Sequence, residues 1–176
     1  AQWLEAGGCD PATGAWAADT PRDLEVLKQL RHAVPEEVNR IIAERRRTDP
    51  GLTKVGTDLA VPDRRLPDMV RRYRHDLAEH GLRSVVFGHV GDNHLHVNIL
   101  PEDMNTYRQA RELYRRWARQ SVAWGGTVGA EHGIGKLKTS LLRELYRSGE
   151  LDAMRRLRRL FDPDERLNRG VLFDDT

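Results

Sequence analysis

Two runs of strand-forming residues, Arg83 to Gly88 (RSVVFG) and His94 to Leu100 (HLHVNIL), are separated only by a short segment ending in the turn-forming Gly91-Asp92-Asn93. A gap that short joins strands as an antiparallel hairpin. Side chains alternate along a strand, so His94, His96 and Asn98 project to one face of the second run and Leu95, Val97 and Ile99 to the other. A sheet with one apolar face must be covered. The rest of the chain has to supply the cover.

Helical patterns flank the hairpin. Leu66 to Glu79 reads as a helix stopped by Gly81, and Glu102 to Trp124 as a long helix burying Tyr107, Ala110, Leu113, Tyr114, Trp117 and Val122. Thr53 to Val61, between Pro50-Gly51 and Pro62, reads as a further strand. Thr20-Pro21 opens a helix with an N-cap hydroxyl and a first-turn proline, and Pro35 is expected to open a second one reaching about Arg46. Gly125 to Gly135 should hold a short strand and a loop. Short helices at about Ser140 to Tyr146 and Leu151 to Leu160 lead into a tail. The expected fold class is α+β: a mixed or antiparallel sheet covered by helices, ferredoxin-like in character, in a single domain over residues 20 to 176 after an irregular segment over 1 to 19.

Composition narrows the function. The 176 residues carry 29 basic and 27 acidic side chains, interspersed, for a net charge of +2. Nucleic-acid binding needs clustered, uncompensated positive charge, so it is excluded as a partner class. The basic run Arg155 to Arg159 lies beside Glu150 and Asp152 and reads as a solvated helix face. Cys9 stands alone, which rules out an internal disulfide or a thiolate metal site and suits a reducing, cytoplasmic compartment. No apolar stretch approaches the ~20 residues of a membrane span. The first residues lack a methionine and a clear period, as expected of a piece that begins inside a longer protein.

Three of the seven histidines, His89, His94 and His96, fall within one turn-containing segment. His89 sits just before the turn, where a hairpin brings it toward His96. Imidazoles on neighbouring strands suit a divalent metal site, and hydrogen-bonded core or surface histidines are the plainer reading. A second cluster, Gly129-Ala-Glu131-His132-Gly-Ile-Gly135, puts a Glu-His pair in a loop whose glycines let the backbone approach a ligand. Glu131 can complete a shell of two histidines and one carboxylate with His89 and His96, leaving His132 as a base. Gly135-Lys136 looks like the end of a phosphate-binding loop, but Ala130 and Leu137 stand where a glycine and a Ser or Thr are required. Arg31 shares a helical stripe with Leu24 and Leu27, an odd place for a guanidinium unless its stem packs and its head reaches water.

Together, Gly88 to Asn98, the Glu131-His132-Gly-Ile-Gly135 loop and the closing Phe161-Asp-Pro with Leu167-Asn168-Arg-Gly170 resemble the C-terminal domain of the FAD-linked oxidases, within the vanillyl-alcohol-oxidase-type flavoproteins. The resemblance covers about residues 20 to 174. It implies an FAD-dependent dehydrogenase oxidising a D-2-hydroxy acid of the D-lactate, glycolate or 2-hydroxyglutarate type. Most of the FAD would be held by an N-terminal domain absent from this chain. It further implies that His89, His96 and Glu131 bind a divalent metal, with zinc as the implied occupant, and that His132 is the base beside the flavin. Asn98 would touch the substrate or the metal shell. Arg31 and Lys54 would meet the substrate carboxylate, and Glu131, His132 and Asn168 would lie against the flavin.

The expected partners are the hydroxy acid, the FAD-binding domain, an electron-accepting protein or quinone that places the enzyme in the cytoplasm or at the inner face of a membrane, and a second copy in a homodimer. Two departures stand out. His94 falls inside a Gly-Asp-Gly-Asn-x-His pattern that reads Gly91-Asp92-Asn93-His94-Leu95-His96 here, so it competes as a ligand. Arg169 replaces the proline of a terminal Asn-Pro-Gly. The alternatives are a non-catalytic metal- or ligand-binding module and a metal-dependent hydrolase using the same two histidines and glutamate.

Overall fold

The computed structural model describes residues 18 to 173; Cys9 and most of the irregular N-terminal segment lie outside them. The chain divides into two compact units, one ending at Arg40 and one starting at Ile41.

The first unit is built from most of helix α1 (Pro21–Arg45). Thr20 caps it: its Oγ1 accepts from the Asp23 backbone N–H at 3.2 Å and donates to Asp23 Oδ2 at 2.7 Å. The expected break at Pro35 does not occur. A proline inside a helix removes one backbone hydrogen bond, yet helix-forming residues on both sides carry α1 through it, aided beyond the proline by the Glu37–Arg40 pair at 2.6 and 2.7 Å. The stripe that the spacing assigned to core leucines is open, with Leu24 49% exposed.

The second unit contains β1 (Val55–Gly56), α2 (Leu66–Glu79), β2 (Ser84–His89), β3 (His94–Ile99), α3 (Met104–Ala123), α4 (Thr139–Leu145) and α5 (Ser148–Phe161). The sheet order is β1-β3-β2 and every pairing is antiparallel, with Val55 opposite Ile99 and Phe87 opposite His96. Ala60, beyond β1, bridges both His94 and Thr127. The sequence β-α-β-β-α followed by a bridge outside the line of β1 is a ferredoxin-like arrangement whose fourth strand has shrunk to one residue pair. The expected α+β class therefore holds.

Expected strands at Thr53 to Val61 and after Gly125 are much shorter than their patterns suggest. Their backbone groups are spent on cross-links. Thr57 N–H donates to Val97 O at 3.1 Å, Ala130 N–H to Asp58 O at 3.1 Å, and Thr127 N–H to Ala60 O at 2.9 Å.

One sheet face is the core. Val55, Val97 and Ile99 pack with Met69, Tyr73 and Leu77 of α2 and with Ala110, Leu113 and Trp117 of α3. Burying each large side chain contributes about 1.5–3 kcal/mol. Trp117 is fully buried, meets Tyr73 edge-on at 4.7 Å and donates its indole N–H to Asp76 Oδ2 at 2.7 Å. With this face committed to helices, the opposite face of β3 is left for His94, His96 and Asn98.

Candidate metal and substrate site

The hairpin turn passes through a short 3₁₀ segment, Val90–Asp92, and Asn93 in the left-handed conformation at φ 52°. Its Nδ2 donates to Asp63 Oδ1 at 2.5 Å, which ties the turn to the chain after β1. Gly88 is needed where β2 meets β3. Its φ is +153°, and a Cβ there would stand 2.6 Å from the His94 carbonyl oxygen.

His89 and His94 are cross-strand neighbours, and Phe87 pairs with His96. The imidazoles therefore share one face, and the Glu131-His132 loop lies against it. The Glu131 carboxylate is the meeting point of four imidazoles among the described residues. His89 Nε2 is 3.0 Å from Oε1 and His96 Nε2 is 3.3 Å from Oε2. His94 Nδ1 is 3.9 Å from Oε1 and His132 Nε2 is 3.7 Å from Oε2.

His96 is held in one tautomer. Its Nδ1 lies 2.9 Å from Thr57 O, an atom that only accepts, so Nδ1 carries the hydrogen. Nε2 then points a lone pair at Glu131 Oε2. Two acceptors facing each other at 3.3 Å call for a cation between them, either a proton or a metal. Burial, and after it the neighbouring His96, holds His94 below the usual imidazole range, which disfavours its charged form.

The loop owes its position to Asp58, a carboxylate only 3% exposed. Oδ1 accepts from Glu131 N–H and Oδ2 from His132 N–H, both at 3.1 Å, while Lys138 Nζ stands 2.7 Å from Oδ2. Burial pushes the Asp58 carboxyl up, but Lys138 and the two amides outweigh it and leave the group ionised, below the ordinary value. One side chain thus orders two consecutive residues of the candidate site.

A family model described as FAD linked oxidases, C-terminal domain, matches residues 5–172. The chain belongs to this family. Relatives of this FAD-linked oxidase C-terminal domain include the probable mitochondrial D-lactate dehydrogenase of Danio rerio, 33% identical across 72% of this chain and 26% of the relative. The D-lactate dehydrogenase of Archaeoglobus fulgidus is 28% identical across 90% of the chain and 33% of the relative. The D-2-hydroxyglutarate dehydrogenase of Stutzerimonas stutzeri is also 28% identical, across 89% and 32%. The chain spans about a quarter to a third of the length of these proteins.

Within the FAD-linked oxidase domain, His89 and His96 both approach the Glu131 carboxylate, through different oxygens. The groups whose donor atoms all lie within 4.8 Å of one another at this place are Asp58-His94-His96 and His96-Glu131-His132, and His89 belongs to neither. The first group is a poor cation site. The Lys138 ammonium already occupies Asp58, and Thr57 O occupies His96 Nδ1. The cluster around Glu131 has the donor chemistry of a divalent metal centre: imidazole nitrogens, a carboxylate, and a His96 whose tautomer is fixed from behind.

Asn98 is buried, with its Nδ2 lacking a hydrogen-bond partner, on the sheet face of His96. Lys54 precedes Gly56, which pairs with Asn98, and lines a cavity of about 140 Å³ with Thr53, Arg111, Arg115 and Lys138. His132 is exposed. Asn168 lies in an exposed turn at φ 48° in the tail, and that tail returns to the loop through Leu172 N–H to Gly135 O at 3.2 Å. Arg31 is an exposed residue of α1 in the first unit. Sequence reasoning missed Asp58 and Lys138. The available signal was an aspartate following Thr57 in an otherwise apolar Leu59-Ala-Val61 run, where a buried charge requires partners.

Proposed function

We propose that this domain binds the substrate and a divalent metal in a flavin-dependent dehydrogenase that oxidises a D-2-hydroxy acid, of the D-lactate, glycolate or 2-hydroxyglutarate type, to its 2-oxo acid. The carrying observation is the convergence of His89 Nε2 and His96 Nε2 on the Glu131 carboxylate, at 3.0 and 3.3 Å. The family match and the named activities of the relatives support the same reading.

His89, His96 and Glu131 would hold the ion, with zinc suited to two nitrogens and one carboxylate. When bound, such an ion supplies Lewis acidity toward a hydroxyl oxygen. FAD, held mainly by a separate N-terminal domain, supplies hydride acceptance. Lys54 meets the substrate carboxylate with its compact ammonium charge. Asn98 offers its unpaired amide N–H₂ to the substrate or to the metal's ligands. His132 takes the hydroxyl proton at Nε2. Its exposed ring, like that of His89, leaves the site open on the side where a flavin must approach, and Asn168 is the tail's contact with that cofactor. The electrons leave through a protein or quinone acceptor.

The test is elemental analysis and steady-state kinetics of His96→Ala in the full-length enzyme. Loss of both metal and turnover is expected. A variant that keeps its metal and its rate refutes the assignment. The 176 residues alone are expected to bind no flavin, and a yellow preparation contradicts the division of labour between domains.

A further inference from the structure

We propose that the cavity between β1, α3 and α4 binds the carboxylate of a small organic acid, with Arg111 as its main anchor. Binding rests on the cavity's own lining, and only the case in which that acid is the substrate rests on the function proposed above.

The chain intersperses 29 basic and 27 acidic side chains, yet Lys54, Arg111, Arg115 and Lys138 line this one space and no acid does. Arg111 and Arg115 come from α3, where a spacing of four residues puts both on the face that carries Tyr107. Lys54 comes from the approach to β1 and Lys138 from the loop before α4. Lys138 is offset by Asp58 at 2.7 Å, and Arg115 by the exposed Glu112 at 3.4 Å. Arg111 makes no ion pair among the described residues. Its guanidinium lies 5.9 Å from the centre of the Tyr107 ring, and Nη1 donates to the Tyr107 hydroxyl at 3.4 Å.

Like charges gathered in a concave space draw an anion into it, because low-dielectric walls focus their field. Beyond the N–H given to Tyr107, Arg111 keeps a planar fork of donors that matches a carboxylate. The Thr53 and Ser140 hydroxyls of the same lining make no hydrogen bond among the described residues and can donate as well. The remaining wall is apolar, from Val55, Leu137 and Leu141. A bare inorganic anion gains nothing from that wall, whereas a short carbon chain does. The space is about 140 Å³, and about 10–15 Å³ already admits one water, so a small acid fits. Gly56, also in the lining, pairs with Asn98, and a Cβ on it would stand 3.1 Å from Asn98 Oδ1. The missing side chain leaves Asn98, on the sheet face of His96, beside the cavity. The acid is therefore either the substrate or a separate molecule.

The test is calorimetric titration of glutarate, a dicarboxylate with no hydroxyl to oxidise, into the full-length enzyme, with inorganic phosphate for comparison. Glutarate should bind, and phosphate should bind more weakly. Arg111→Gln keeps much of the stem beside Tyr107 and removes the charge, and should weaken glutarate at least about 10-fold. Leu137 is 76% exposed at the rim, where substitution is tolerated. Leu137→Glu sets an anion at the mouth and should bind glutarate about 3-fold or more weaker than the uncharged control Leu137→Gln. An absence of glutarate binding, phosphate bound as tightly, an unchanged affinity in Arg111→Gln or equal affinities in the two Leu137 variants overturns the proposal. Should Arg111→Gln fold poorly, the Leu137 pair decides. Steady-state kinetics with D-lactate and D-2-hydroxyglutarate separate the sources. A KM that rises in Arg111→Gln makes the substrate the occupant, and an unchanged KM, with glutarate still bound under saturating hydroxy acid, makes it a separate acid. The titration depends on neither metal uptake nor turnover, so it can succeed where the metal reading fails.

Discussion

Replacing Lys138 with methionine keeps most of the apolar stem and removes the only cation on the Asp58 carboxylate among the described residues. Asp58 is 3% exposed against 16% for Lys138, so the anion is the trapped partner. Stripping a buried ion pair of one member costs about 3–5 kcal/mol, because the other charge is left uncompensated. The Glu131 and His132 amides still donate to Asp58, and the position of Lys138 admits some water, so the lower end, about 3 kcal/mol, applies.

For a chain of this size, that corresponds to a fall in melting temperature of about 6–12 °C. Added salt should restore little, since buried pairs are weakly screened. Introducing Asp58→Asn alongside removes the stranded charge, so the double variant should be less destabilised than the two single losses summed. The assay is urea unfolding followed by tryptophan fluorescence, arranged as a double-mutant cycle. A Lys138→Met protein within about 0.5 kcal/mol of the unsubstituted one, or strictly additive losses in the cycle, refutes Asp58–Lys138 as the clamp on the loop.

Other perturbations read the remaining parts. His132→Ala should retain the metal while lowering kcat of the full enzyme by about 10²–10⁴-fold, as removal of a general base does; metal analysis with steady-state kinetics checks both halves. Gly88→Ala must push against the His94 carbonyl from a conformation that L residues rarely adopt, and should cost about 1–3 kcal/mol by chemical denaturation. Burial pushes the Asp76 carboxyl up, but the Trp117 indole, His75 and Arg72 outweigh it and hold it below the ordinary range. Its stabilisation is therefore present above the unfolded value of about 3.9 and lost as pH falls through the lower folded value. Between pH 5 and pH 2 the urea midpoint should fall more steeply for the unsubstituted protein than for Asp76→Asn, and parallel curves contradict this.

Local chemistry in the sequence determined the hairpin, the bounds of α2 and the alternation that separates His94, His96 and Asn98 from Val97 and Ile99, because each depends on residues within a few positions of one another. The pattern of histidines around a Gly-Asp turn and the Glu-His pair among glycines also marked which residues meet at Glu131. Pro35 misled the reading of α1, since one lost hydrogen bond does not outweigh the helix on both sides of it. The bond of His96 to Thr57 O, the gathering of four imidazoles on one carboxylate and the hold of Asp58 on a loop more than seventy residues away were decided only in three dimensions. A buried aspartate looks like any other in a sequence, and its partners are chosen by packing, which brings together backbone amides that no local pattern records.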